Sequence, residues 1–178
     1  GSSSALDQLA SYQEILDLAK EMNEGKIQIL FLHHGDPVFT LPTNSGFAQA
    51  LDNVPFVVSF SSLPDQTTAH ADLVLPDHHF LETWGDHSPR SGVHTIQQPA
   101  MQPVFDTRTT ADVLLRTAQG MDQLASQFTE SDYSERLYAY WDSTLREPLS
   151  QETSWEEFWP EILTSGGHFE EMPNLEVE

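Results

Sequence analysis

Three polar loops hold the residues of this chain that are best suited to chemistry: Gly35-Asp36-Pro37, Asp65-Gln66-Thr67-Thr68, and Asp77-His78-His79-Phe80-Leu81-Glu82. In the first, glycine lets a backbone approach a ligand closely, and aspartate can accept from a ribose hydroxyl or a base N–H. Proline there stops the chain from continuing as strand or helix. The same tripeptide is also an ordinary turn. In the second, hydroxyl and amide groups at the start of a short helix can meet a phosphate or the edge of a base. Asp65 and Thr67 can equally do no more than cap that helix, and spacing alone does not separate the two roles.

The third loop, together with His33, His34, Asp86, His87 and His94, raises the question of a metal, because imidazole and carboxylate ligate zinc and non-haem iron. The His-Glu-x-x-His pattern is absent, and side chains at adjacent positions such as His78 and His79 diverge in an extended chain. No metal ligand is assigned on spacing. There is also no Gly-x-Ser-x-Gly elbow, no P-loop and no Gly-x-Gly-x-x-Gly fingerprint. The sequence therefore offers no catalytic residue and no complete active site.

The elements that must position these loops are short β-type runs: Ile27-Gln28-Ile29-Leu30-Phe31-Leu32, Phe56-Val57-Val58-Ser59-Phe60 and Asp72-Leu73-Val74-Leu75-Pro76. Each ends in one of the polar segments, with Ser61-Ser62-Leu63-Pro64 opening the second. In an open parallel sheet such loops gather at one edge, where these folds bind ligands. The first run is apolar almost throughout, as strands covered on both faces are. Helical spacing of Leu6, Leu9, Ile15, Leu16, Ala19 and Met22 predicts a first helix over 5–23, with Ser4-Ala5-Leu6-Asp7 resembling a capping box. Short helices are expected at 45–51 and 66–71, giving the order βαβαβ.

Residues 81–108 change to Gly, Pro, His, Gln and Thr, consistent with a long loop carrying one short strand at 93–97. A helix capped by Thr109 or Thr110 runs to about Leu124. Two more follow, one with Tyr133, Leu137, Tyr140, Trp141 and Leu145 in register and one opened by Ser154 and closed by Gly166-Gly167. The aromatic set Tyr138, Tyr140, Trp141, Trp155, Phe158 and Trp159 is best explained as packing between these two helices. The fold class is α/β: a Rossmann-like parallel sheet flanked by helices, with a C-terminal helical extension. The expected organisation is a cloning remnant at 1–3, the α/β domain at 4–125, the helical extension at 126–168, and an acidic, flexible tail at 169–178.

Composition narrows the function classes. The formal charge of −21, from 28 acidic and 7 basic residues, repels phosphate backbones and argues against nucleic acid. More than half of it lies from Glu130 onward, on a solvated face or a contact for a basic partner. No apolar run approaches the roughly 20 residues that cross a bilayer, so direct membrane insertion is not expected. With no cysteine, the chain holds no disulfide and no cysteine-ligated iron–sulfur cluster.

The pattern resembles a family. A hydrophobic strand leading to Gly35-Asp36-Pro37, then Thr67 at its offset before Ala71-Asp72-Leu73-Val74-Leu75-Pro76, then Glu82, resembles the third domain of molybdopterin oxidoreductases of the dimethyl-sulfoxide-reductase type. The continuation Leu81-Glu82-Thr83-Trp84-Gly85-Asp86, Gln98-Pro99, residues 103–108 and Asp112-Val113-Leu114-Leu115 is similar to polysulfide-reductase-like enzymes and to the large iron–sulfur subunit of alternative complex III. The likeness covers residues 26–118 well, and the helix near Trp155 more loosely.

This resemblance implies a domain that holds the guanosine end of a molybdopterin guanine dinucleotide, with Gly35, Asp36, Pro37, Ser61, Thr67, Asp72 and Glu82 as the cofactor-binding positions. Ser61 is a departure: the family often has an Asp there, and a hydroxyl hydrogen-bonds without supplying charge. In the alternative-complex-III subunit the domain is similar but carries no pterin, which makes a cofactor-free structural role in a quinol-oxidising electron-transfer complex the alternative reading. Either way the resemblance implies the remaining domains of a parent subunit, together with iron–sulfur and membrane subunits, as partners. It also implies a location on the periplasmic side of a bacterial membrane. The isolated chain is not expected to turn over substrate.

Overall fold

The computed structural model describes residues 9–150 and 153–170, which fall into two compact units. One unit comprises residues 10–79 and 102–117; the other contains 80–101, 118–150 and 153–170.

The first unit opens with helix α1 (Tyr12–Asn23). It starts later than its apolar spacing predicts, because Ser11 and Glu14 form the reciprocal cap: the Glu14 N–H donates to the Ser11 hydroxyl while the Glu14 carboxylate accepts from the Ser11 N–H. The expected box at Ser4 lies outside the described residues. Strand β1 (Ile29–Leu32) is followed by α2 (Pro37–Thr40), α3 (Phe47–Leu51), β2 (Phe56–Ser59), β3 (Leu73–Val74) and, after the second unit's insertion, α4 (Thr110–Gln119). The strands form a parallel sheet in the order β1-β2-β3, with Leu30 opposite Val57 and Ser59 opposite Val74. This is the α/β arrangement of a parallel sheet flanked by helices.

One face of that sheet, through Leu30, Leu32 and Val57, packs on Met22, Ala50 and Leu51 of the helices. The other face is only partly covered. Val58 and Phe60 are buried at the centre, but Ile29 and Phe31 of β1 are 54% and 55% exposed. The expectation of a first strand buried on both faces does not hold, because β1 is an edge strand whose alternate side chains leave the helical layer.

The second unit is built on strands β4 (Gly85–Arg90) and β5 (Val93–Gln97), helix α5 (Tyr133–Tyr140), which continues through a π-helical stretch (Trp141–Arg146) into α6 (Glu147–Leu149), then α7 (Trp155–Ser165) and β6 (Gly167–Phe169). The strands form an antiparallel sheet in the order β4-β5-β6. The expected long loop thus holds two paired strands, β4 and β5. Its core is Ile96, Leu137, Trp141, Leu145, Phe158, Trp159 and Ile162. The aromatic residues pack here as expected, with Trp155 stacked on Trp159 at 5.0 Å between centroids; Tyr140 is the exception, remaining exposed.

Candidate functional site

In the first unit, the loops after β1, β2 and β3 lie at the carboxyl end of the parallel sheet, and their polar side chains are tied to one another. Asp36 caps α2, its Oδ1 accepting from the Phe39 N–H at 3.3 Å. The same oxygen accepts from the Thr67 N–H at 3.2 Å and from the Thr67 hydroxyl at 2.5 Å. Thr67 is fully buried, and its hydroxyl oxygen in turn accepts from the Val38 N–H at 3.1 Å. These bonds clamp the loop after β1 to the loop after β2.

The two roles open to the second loop are thereby divided between its residues. Asp65 is the local cap: its Oδ1 accepts from the Thr68 N–H at 2.7 Å, and its own N–H donates to the Thr68 hydroxyl oxygen at 2.8 Å. Partial burial pushes the Asp65 carboxyl up, but hydrogen bonds, chiefly from Thr68, outweigh this and hold it below the usual carboxylate range. Thr67 reaches across to Asp36 instead of capping its own helix.

Of the other positions singled out in the sequence, Asp72 is turned to the backbone, its Oδ2 accepting from the Val57 N–H at 2.7 Å. The Ser61 hydroxyl donates to the Leu63 carbonyl at 2.7 Å. Gly35 is exposed, and a Cβ built on it would meet only the His33 carbonyl oxygen at 3.9 Å, so the backbone here is open to close approach. Pro37 is the first residue of α2. Glu82 ends a short 3-10 turn (Phe80–Glu82) in the other unit.

A second polar centre lies beside this clamp. Asp77, only 7% exposed, accepts from the Thr110 N–H at 2.9 Å and the Thr110 hydroxyl at 2.8 Å, and so satisfies the start of α4. Its carboxylate also accepts from the His78 N–H at 2.8 Å and from His33 Nε2 at 2.9 Å. Burial pushes the Asp77 carboxyl up, but the bonds from His33, Thr110 and His78 together hold it below the usual range. His78 turns away to the Thr107 hydroxyl at 2.6 Å. Of the histidines and acids considered as metal ligands, then, His33 and His34 converge on Asp77, while Asp86, His87 and His94 belong to the other unit. A separation of 44 residues hides the His33–Asp77 contact from any spacing argument; the signal was a polar residue at the end of each of two parallel strands.

The other unit has a cleft of ≈ 370 Å³ lined by residues including Asp86, His87, Tyr133, Arg136 and Tyr140. Burial pushes the carboxyl of Asp86 above the usual range despite the bond it accepts from Trp141 Nε1, and burial also raises Tyr133. Arg136 is already paired with Glu130 at 2.8 Å.

A parallel sheet flanked by helices, with an open glycine and an Asp–Thr clamp at its carboxyl edge, places the chain in the α/β class of parallel-sheet proteins. Within the class, the family model for molybdopterin oxidoreductases matches residues 5–118, and the chain belongs to that family. It is 33% identical over 118 residues to the menaquinone reductase, molybdopterin-binding-like subunit of Nitratidesulfovibrio vulgaris, a match that covers 62% of this chain and 17% of that protein. It is 37% identical over 71 residues to a nitrate reductase of Shewanella frigidimarina, covering 39% of this chain and 8% of that enzyme. The chain thus corresponds to less than a fifth of either relative's length.

Proposed function

We propose that this chain is the domain of a molybdopterin-dependent oxidoreductase that helps hold the guanosine end of a molybdopterin guanine dinucleotide. The observation that carries this reading is the open backbone of Gly35 beside Asp36, whose Oδ1 makes all of the bonds described above while Oδ2 takes none of them. That second oxygen and the exposed glycine are suited to a base N–H and to a close-lying ribose or phosphate. Ser61 is the further candidate on this reading, whereas Pro37, Thr67 and Asp72 act by fixing the loops. When bound, the pterin and its metal supply the electron transfer, and the protein supplies binding and orientation. The other domains of the parent subunit, iron–sulfur and membrane partners, and a place on the periplasmic side of a bacterial membrane belong to the same proposal. Among the described residues no helix is long and apolar enough to cross a membrane.

Calorimetry of the chain with guanosine diphosphate tests the reading. Saturable heat is expected, weakened by Gly35→Ala, whose Cβ narrows the approach and meets only the His33 carbonyl oxygen at 3.9 Å. The absence of heat at millimolar nucleotide overturns it.

The second reading is a cofactor-free relative of this domain serving a structural role in a quinol-oxidising complex. It is favoured by the internal use of Thr67 and Asp72 and by Ser61, whose hydroxyl is taken up by Leu63. Elemental analysis of the full-length parent protein separates the two: molybdenum or tungsten supports the first reading, and its absence from pure, folded protein supports the second.

A further inference from the structure

We propose that His33, His34 and Asp77 form a binding site for one borderline divalent cation of the Zn²⁺ or Ni²⁺ type. The three side chains offer two imidazole nitrogens and one carboxylate oxygen, all within 4.8 Å of one another. His33 Nε2 lies 2.9 Å and His34 Nε2 lies 3.5 Å from the same oxygen, Asp77 Oδ2. Ligands placed about 2.0–2.1 Å from a tetrahedral zinc are about 3.3–3.4 Å apart, so the two observed separations bracket the value that a shared cation requires. Small turns of the rings suffice to admit it, and water completes the coordination.

Two features distinguish this arrangement from a casual histidine–carboxylate hydrogen bond. Adjacent residues in an extended chain point apart, yet the His33 and His34 rings stack at 3.7 Å between centroids. They do so because His34 takes a left-handed backbone, φ 52°, the one described non-glycine residue with positive φ. The local chain is thus bent in the way that brings both imidazoles to one oxygen, although a single imidazole would satisfy it.

The carboxylate is also held before any cation arrives. Asp77 is buried and receives bonds from Thr110 N–H, Thr110 hydroxyl and His78 N–H, the kind of outer contacts that fix a metal ligand's orientation. The imidazoles, by contrast, are exposed and give the ion an open path from solvent. A donor set of two nitrogens and one oxygen selects zinc, nickel, cobalt or copper over magnesium and calcium, which prefer all-oxygen shells. The high negative charge of the chain raises the local concentration of any cation. The proposal stands apart from the nucleotide reading, since it uses no atom of Gly35, Asp36 or Thr67.

Equilibrium dialysis of the chain against Zn²⁺, and Co²⁺ absorption as a coordination probe, test it. About one equivalent should bind below about 0.1 mM free metal, with visible Co²⁺ bands of a four- or five-coordinate nitrogen–oxygen site and no competition from excess Mg²⁺. His34→Ala, at an exposed position, should weaken binding at least about tenfold while leaving circular dichroism unchanged, and His33→Ala should do the same. His87→Ala in the other unit should change nothing. No binding under these conditions, or binding that survives both His33→Ala and His34→Ala, overturns the proposal.

Discussion

The hydroxyl of Thr67, with no solvent exposure, donates to Oδ1 of Asp36 across 31 residues of chain and ties the loop after β1 to the loop after β2. The bond closes the carboxyl edge of the sheet from beneath. Asp36 is thereby held both by the first turn of α2 and by the distant Thr67, next to the exposed Gly35.

Replacing Thr67 by Val preserves shape and removes the hydroxyl. Asp36 Oδ1 then loses its shortest donor, and the Val38 N–H loses its acceptor. Leaving such groups unpaired costs about 1–3 kcal/mol, so urea denaturation of Thr67→Val should show a loss of that order. Thr67→Ser restores the hydroxyl and should recover most of it; a Thr67→Val variant as stable as wild type, with the loss appearing only in Thr67→Ser, would mean that methyl packing, not the bond, matters.

Asp77→Ala should be among the more damaging substitutions in the first unit. It strips the acceptor from the Thr110 N–H and the Thr110 hydroxyl at the start of α4, as well as from the His78 N–H. Loss of an N-terminal cap alone costs about 0.5–2 kcal/mol, and burial of the site adds to it. Asp77→Asn keeps one acceptor oxygen and should lie between wild type and alanine in chemical denaturation monitored by helical circular dichroism.

How far these relationships are legible in the sequence depends on the range of the interaction that makes them. The parallel strands are visible because each is a short apolar run, and Gly35-Asp36-Pro37 and Thr67 are visible as turn chemistry after them. The partner of each side chain is not: Asp65 and Thr67 read as equally good local caps, but Asp65 caps its own turn while Thr67 reaches Asp36. Strand β4 is hidden for another reason. Gly85-Asp86-His87-Ser88-Pro89-Arg90 has no apolar alternation, and Pro89 is tolerated because β4 is an edge strand whose register with β5 breaks between His87 and Arg90. Strand β6 is three residues long and exists through its pairing with β5.

Gly167 makes that last pairing possible. Its φ is +143°, a conformation open to glycine, and a Cβ there would overlap the His94 carbonyl oxygen and lie 2.8 Å from Thr95 Cα. Gly167→Ala should therefore push β6 off β5 and destabilise the second unit by about 1–3 kcal/mol. The neighbouring Gly166 ends α7 in the left-handed conformation with open space around it, so Gly166→Ala should cost only about 1 kcal/mol. Denaturation followed by tryptophan fluorescence, which reports the Trp141, Trp155 and Trp159 core, distinguishes the two.

Asp86 gives the second unit a stability that falls with rising pH. Burial raises its native carboxyl above the ordinary range, against the pull of the Trp141 indole and of His94 and His87. Between the unfolded and the native values the folded state binds more protons than the unfolded chain, so stability is greatest below that window and is lost as pH rises through it. Asp86→Asn keeps an acceptor for the indole and removes the ionisation. The variant should thus be more stable than wild type at pH 7, with the difference shrinking as pH falls through the raised native value toward the ordinary carboxylate range. Tyr133, itself raised by burial and by the Asp86 charge, should return toward its usual value in the variant. Because His87 and His94 both act on the Asp86 charge, repeating the comparison in His87→Gln and His94→Gln backgrounds isolates the carboxylate. An Asp86→Asn advantage that grows on acidification would show that the charged form is the one the fold prefers.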